Sequence, residues 1–182
     1  MEIKLVDQND ELLQILQIQA ENHLHNLHYD VASENGFVTV KHSYDMIRKM
    51  NEKAKQVIAK VNDKVIAYAL VMLKEFKNDI PILIPMFNSF ENIRYKGKCL
   101  SDLNYYVMGQ ICVQDAFKRQ GIFKKLYAMH REAYGSVFDF CITEVSTRNT
   151  PSILAHKKIG FKTIHTFSDH SDVWHILLWD WQ

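Results

Sequence analysis

From Tyr105 to Gly135 the chain has few conformational options. Tyr105 to Val113 is rich in aromatic and β-branched residues, the composition of a buried strand. Gln114 to Gln120 is polar and breaks that run. From Ile122 the apolar residues Leu126, Met129 and Ala133 recur at helical spacing, and Gly135 supplies a stop. A strand that passes through a short loop into a helix exposes the helix's first, unpaired N–H groups and the positive end of its dipole. Such a corner is an anion site, and pyrophosphate is its usual occupant. Gly121 lets a ligand come close to the backbone. Lys118, Arg119, Lys124 and Lys125 add positive charge, and no acidic residue falls between Ala116 and Arg131. An ordinary strand–loop–helix with a solvated basic face accounts for this segment equally well, since one glycine is a weak signal.

The next segment adds weight to the anion site. Phe138 to Ser146 reads as a second strand. Thr150 suits a helix N-cap and Pro151 the first helical position. Gly160 ends that helix and Phe161 begins a further strand. Together the two segments resemble the cofactor-binding motifs of the GNAT superfamily of N-acetyltransferases. Its Arg/Gln-x-x-Gly-x-Gly/Ala run is matched by Lys118-Arg119-Gln120-Gly121-Ile122-Phe123. Its second motif, Asn-x-x-Ala-x-x-Leu-Tyr-x-x-x-Gly-Phe, is matched by Asn149, Ser152, Ala155, His156, Gly160 and Phe161. Glu34 to Val40 followed by Gln56 to Leu73 also looks like bacterial members. Three positions depart from the pattern. Lys118 keeps a charge but lacks the planar fork of arginine, Phe123 replaces a small residue, and His156 stands where a tyrosine proton donor is common.

The resemblance implies an α/β (α+β) acyl-CoA N-acyltransferase fold. A central, mixed, mostly antiparallel sheet of about seven strands would be flanked by about four helices, with the fourth and fifth strands splayed. It implies acetyl-CoA as co-substrate and no metal. The backbone of Ile111, Cys112 and Val113 would meet the pantetheine arm, Lys118 to Phe123 with Lys124 would hold the pyrophosphate, and Asn149, Ser152 and His156 would lie along the arm. The implied reaction is direct attack of a primary amine of a small molecule or peptide on the thioester. The Val113 N–H would stabilise the oxyanion. His156 is then a candidate proton donor for the leaving thiolate, or a residue that fills the tyrosine's space. Glu144, Tyr105 and Tyr106 are candidates for the base that neutralises an ammonium of pKa about 10. The missing tyrosine favours the alternative of a non-catalytic, acyl-CoA-binding or regulatory domain. An unrelated phosphate-binding fold is a third reading.

The 182 residues fit one domain, 1–182. With 47% hydrophobic and 24% charged residues the composition is that of a soluble globular protein. A net charge of +1 gives no overall pull toward nucleic acid. The longest plainly apolar stretch, Val65 to Leu73, is too short to span a bilayer. The first residues lack a secretion profile, and Cys99, Cys112 and Cys141 lack metal spacing, which suits reduced, buried thiols in a cytoplasmic protein. A homodimer is possible on these grounds, through the sheet ends or residues 74–101.

Elsewhere, Glu2 to Val6 reads as a strand, followed by a helix capped by Asp7 or Asp10 and running to about Ala20. His23, His25 and His28 could ligate a metal, but a polar helix end and loop is the simpler reading, without a His-Glu-x-x-His or cysteine pattern. By the resemblance, His25, His28, Tyr29 and Glu34 would touch the acceptor. Ser43 caps a helix to about Ala54. Gln56 to Val61 and Lys64 to Leu73 form a hairpin on Asn62-Asp63. Residues 74–101 read as a long loop holding one helix near Met86 to Ile93. Lys162 to Phe167 and Val173 to Trp181 close the sheet, with Trp174, Trp179 and Trp181 as packing residues.

Overall fold

The computed structural model describes residues 1–26 and 36–181. Strands β1 (Glu2–Leu5), β2 (Val57–Val61) and β3 (Lys64–Met72) precede the short β4 (Arg94–Tyr95) and β5 (Lys98–Cys99). Then come β6 (Tyr105–Val113), β7 (Phe140–Ser146), β8 (Lys162–Ser168) and β9 (Val173–Asp180). The main sheet has seven strands in the order β1-β2-β3-β6-β7-β9-β8, while β4 and β5 form a separate ribbon. Every pairing in the main sheet is antiparallel except that of β6 with β7. Among the described residues five α-helices accompany it: α1 (Asn9–Glu21), α2 (Tyr44–Lys53), α3 (Ile84–Phe90), α4 (Ile122–Tyr134) and α5 (Thr150–Ile159).

Strand β3 is buried on both faces, and its alternation sorts the helices. Tyr68, Leu70 and Met72 join the cluster of Leu12, Ile15 and Ile18 from α1 and Ile47 and Met50 from α2. Ala67 and Ala69 join Ile122 and Leu126 of α4 on the opposite face. The tight turn between β2 and β3 is the expected one, with Asn62 at φ 48 and Asp63 at φ 63. Two departures concern caps. Helix α1 begins at Asn9 after Gln8, and Glu11 rather than Asp7 or Asp10 completes its start, accepting from the N–H groups of Asp7 and Gln8. Helix α5 is capped by Asn149 rather than Thr150, because the Asn149 side chain accepts from Ser152 N at 3.3 Å. A third departure lies at 74–101. The segment holds 3-10 turns, α3 starting at Ile84, and the β4–β5 ribbon, which turns on Lys96 (φ 50) and Gly97 (φ 81).

Two irregularities shape the centre of the sheet. Tyr105, Tyr106 and Val107 pair with Phe140, Cys141 and Ile142, and there the β6–β7 ladder ends although both strands continue. The strands part beyond that point. In addition, Ala69 faces Ile111 while Val71 faces Met108, so Gly109 and Gln110 sit opposite a single residue of β3. This bulge reverses the alternation of β6. Met108 packs in the cluster on the α4–α5 side, and Gln110 turns to the α1 side, where it meets Gln19 and Tyr68.

Candidate active site

The basic corner is built as its composition demands. Gly121 caps α4 at φ 76, in a conformation that favours glycine, and a Cβ there would meet nothing within 4 Å. The helix has no side-chain cap and no acidic residue in its first turn, so its leading amides stay available to an anion. Arg119 holds a left-handed φ of 62. Lys118 Nζ lies 2.5 Å from Asp115 Oδ1, so its charge is partly committed within the loop. Gln120 departs from expectation: its side chain donates back to Ala116 O, and it does not line the groove described next.

From this corner a groove of about 650 Å3 runs between the parted strand and helix α5. Ile111, Cys112 and Val113 form one wall, Asn149, Ser152, Ala155 and Lys158 the other, and Lys118, Arg119 and Gly121 to Lys124 the end. Gln114 N donates to Ile66 O. The alternation of an antiparallel ladder therefore turns the main-chain groups of Ile111 and Val113 away from β3, toward the opening, and those of Cys112 toward β3. Of the expected backbone trio, Ile111 and Val113 can meet a ligand in this way and Cys112 cannot. Its thiol is pushed up to about 12 by burial, and so stays protonated. Sequence reasoning missed Lys158, which shares a helix face with Pro151 and Ala155.

Sequence reasoning also missed how the segment 36–42 is fastened across the opening. Asn149 Nδ2 donates to Phe37 O, Gln110 Nε2 to Val40 O, and the Gln19 carboxamide accepts from His42 N. Gln19 also donates to Gln110 Oε1 at 2.7 Å, and its Nε2 lies 2.8 Å from His42 Nδ1. Gly36, at φ 76, sits so close that a Cβ would lie 3.0 Å from Asn149 Oδ1. Burial pulls the His42 imidazole down to about 4, leaving it neutral.

Where β6 and β7 part there is a smaller cavity, of about 70 Å3. Met108 to Ile111, Thr143 to Ser146, Val40, Trp174 and His156 line it, and it meets the groove at Phe37, Val38, Ile111, Asn149 and Ser152. Glu144 Oε2 is buried there without a hydrogen-bond partner. Burial, reinforced by the charge of Asp169, pushes the Glu144 carboxyl up to about 8. His156 is 1% exposed. Its Nδ1 donates to Ser152 O at 2.7 Å, and its Nε2 has no partner. The rings of Phe123, Tyr127 and Phe161 stand edge-on around it at 5.1 to 5.6 Å. Burial pulls the imidazole down to about 4. His156 is therefore neutral at physiological pH, and Nε2 is a lone pair rather than the charged acid expected of a proton donor.

The other sequence candidates fall elsewhere. Tyr105 lies at the paired end of β6, 3% exposed, stacked on Phe140 with Lys74 Nζ 4.3 Å above its ring. Burial raises its phenol, and it lines neither the cavity nor the groove. Tyr106 is buried on the opposite face and donates to His130 Nδ1. Both tyrosines belong to the core. His25 stacks on His23, while His28, Tyr29 and Glu34 lie outside the described residues. Among the described residues no group of three His, Cys, Asp or Glu could hold a metal ion, and no helix is long and apolar enough to cross a membrane.

No protein-family model matches the sequence, and no curated protein matches it. The structure is similar to that of smu.2055 from Streptococcus mutans UA159, at 19% identity and a TM-score of 0.65 over 99% of each chain. It is similar to the ribosomal-protein-S18-alanine N-acetyltransferase of Escherichia coli, at 14% identity and a TM-score of 0.65 over 98% of this chain and 92% of that one. It is also similar to yncA of Salmonella typhimurium, a putative acetyltransferase solved with acetyl-CoA. There the identity is 13% and the TM-score 0.63, over 100% of this chain and 94% of that one. The chain thus has the fold of the GNAT-family acetyltransferases.

Proposed function

We propose that this protein is an acetyl-CoA-dependent N-acetyltransferase that acts on a primary amine of a small molecule or peptide. The observation that carries the reading is the parting of β6 and β7 after Val107 and Ile142, with a groove leading from that opening to the uncapped start of α4. The residues fit the co-substrate. Open space beside Gly121 and the free leading amides of α4 suit a diphosphate, Arg119, Lys124 and Lys158 supply charge, and the main-chain groups of Ile111 and Val113 suit a pantetheine arm. Three free thiols fit a reducing compartment such as the cytoplasm.

Acetyl-CoA supplies an activated carbonyl carbon for the acceptor nitrogen. Glu144 is the base in this reading. An ammonium near pKa 10 must lose a proton before it attacks, and a carboxyl near 8 is a far better match to it than an exposed one. The nitrogen loses a second proton as the amide bond forms and the carbon–sulfur bond breaks. Of the two protons, one ends on the departing sulfur and one goes to solvent. His156 contributes Nε2 as an acceptor that orients the amine. Val113 N–H, turned toward the opening, is the donor for the carbonyl oxygen. The neutral state of His156 also favours the second reading, a domain that binds acyl-CoA without turning it over, since no charged acid attends the sulfur.

Thermal unfolding with coenzyme A and with ATP tests the seat, because a ligand stabilises the state it binds. Stabilisation by coenzyme A and not by ATP is expected, and no shift overturns the assignment. Thiol release from acetyl-CoA with a set of amines then separates enzyme from binding domain.

A further inference from the structure

We infer that the acceptor is a primary amine on an unbranched methylene chain, with its nitrogen in the cavity that Glu144 and His156 both line. This rests on the acetyltransferase reading above and narrows its acceptor. Three features of the cavity converge on that class.

The first is hydrogen bonding. Glu144 Oε2 and His156 Nε2 are both buried without partners, and buried polar atoms left so are rare in a folded protein. Of the other polar side chains of the lining, Trp174 Nε1 is also buried without a partner, while three are spent within the fold. Gln110 is bonded to Val40, Gln19 and Tyr68, Ser146 to Asp172, and Asn149 to Phe37 and Ser152. The two unpaired acceptors, Glu144 once ionised and His156 Nε2, together call for a donor with more than one N–H, which a primary amine brings and a hydroxyl or tertiary amine does not.

The second is size. A cavity of about 150 Å3 accepts a benzene ring, and this one is about 70 Å3. It admits a slender chain end and excludes a ring or a carbon branched next to the nitrogen. The third is charge. Glu144 is the one acid among the described lining residues, and no Lys or Arg joins it. An α-carboxylate beside the amine would have no cationic partner, while Met108, Ile111 and Val145 offer apolar walls to methylenes. An α-amine, whether of a free amino acid or a peptide N-terminus, is branched and polar where the cavity is narrow and apolar.

The test is a competition of acceptors on the full chain. Thiol release from acetyl-CoA is measured with hexylamine and Nα-acetyl-lysinamide, and with alaninamide and N-methylhexylamine. At least tenfold higher kcat/KM is expected for the first pair. Two variants accompany it. Val145→Phe, which fills the cavity, and Glu144→Gln, which keeps its shape, should each lose turnover of hexylamine while coenzyme A still raises their Tm as in the native protein. Equal or better turnover of alaninamide overturns the inference, as does native activity of Val145→Phe on hexylamine. So does binding of coenzyme A with thiol release for none of the four amines. If coenzyme A fails to raise the Tm of the native protein, the acetyltransferase reading itself falls and takes this inference with it.

Discussion

Glu11 at the start of α1 and Glu144 in the cleft are the same side chain withdrawn from water in two places. Burial pushes both carboxyls up. At Glu11, charge-assisted hydrogen bonds from Lys60 and Lys4, with the N–H groups of Asp7 and Gln8, outweigh burial and hold it at about 2. At Glu144 no donor arrives, the charge of Asp169 adds to burial, and the carboxyl rises to about 8. Depth alone thus says little about a buried acid; what decides is whether the fold supplies its partners or leaves them to a ligand. Glu11 ties β1, β2 and α1 together. Glu144 does no such tying.

If that contrast is right, the two sites fail differently. Glu11→Ala leaves two half-buried lysines facing each other. It should cost about 3 kcal/mol of unfolding free energy in denaturant titration, with acetylation per folded molecule unchanged. Glu144→Gln should lower kcat/KM about 100-fold, equivalent to about 2.7 kcal/mol, with the coenzyme A shift intact. A loss of stability as large as that of Glu11→Ala would make Glu144 a structural residue instead. Protonation offers a further separation. Turnover should climb as pH rises through about 8, where Glu144 ionises, and this climb should be absent from Glu144→Gln. In stability the signs are opposed. The contribution of Glu144, raised in the fold, is present below 4.5 and lost as pH rises through 8. That of Glu11, depressed in the fold, is present above 4.5 and lost as pH falls through 2. Chemical denaturation at pH 5 and pH 9 should therefore find Glu144→Gln gaining on the native protein only at the higher value. The smallest expected change is Arg119→Glu, about tenfold weaker coenzyme A binding by calorimetry, or about 1.4 kcal/mol, because backbone amides carry most of the proposed seat.

What the sequence disclosed and what it hid follow one division. The corner at Gly121, the hairpin at Asn62-Asp63 and the ends of α4 and α5 rest on contacts within a few residues, so glycine, proline and apolar spacing announce them. The bridging of the opening by segment 36–42 depends on Gln110 and Asn149, 70 and 112 residues away, and nothing local foretells it. The bulge at Gly109 and Gln110 likewise exists only against β3. Tyr105 and Glu144 both read as candidate bases, and only the point where β6 leaves β7 separates them, one packed among aromatic rings and the other beyond the last paired residue. The β4–β5 ribbon is a different case. Lys96-Gly97 is a local turn signal, hidden by the irregular composition around it.

The inward-facing imidazoles have a consequence of their own. His42, His130 and His156 are each drawn down to about 4 by burial, against about 6.5 in an unfolded chain. As acidity increases below 6.5, only the unfolded chain takes up those protons readily. Three such groups tilt the balance by up to about 4 kcal/mol for each pH unit until the folded values are reached. Stability should therefore fall steeply as pH drops from about 6.5 toward 4, a fall that denaturant titrations across that interval would record.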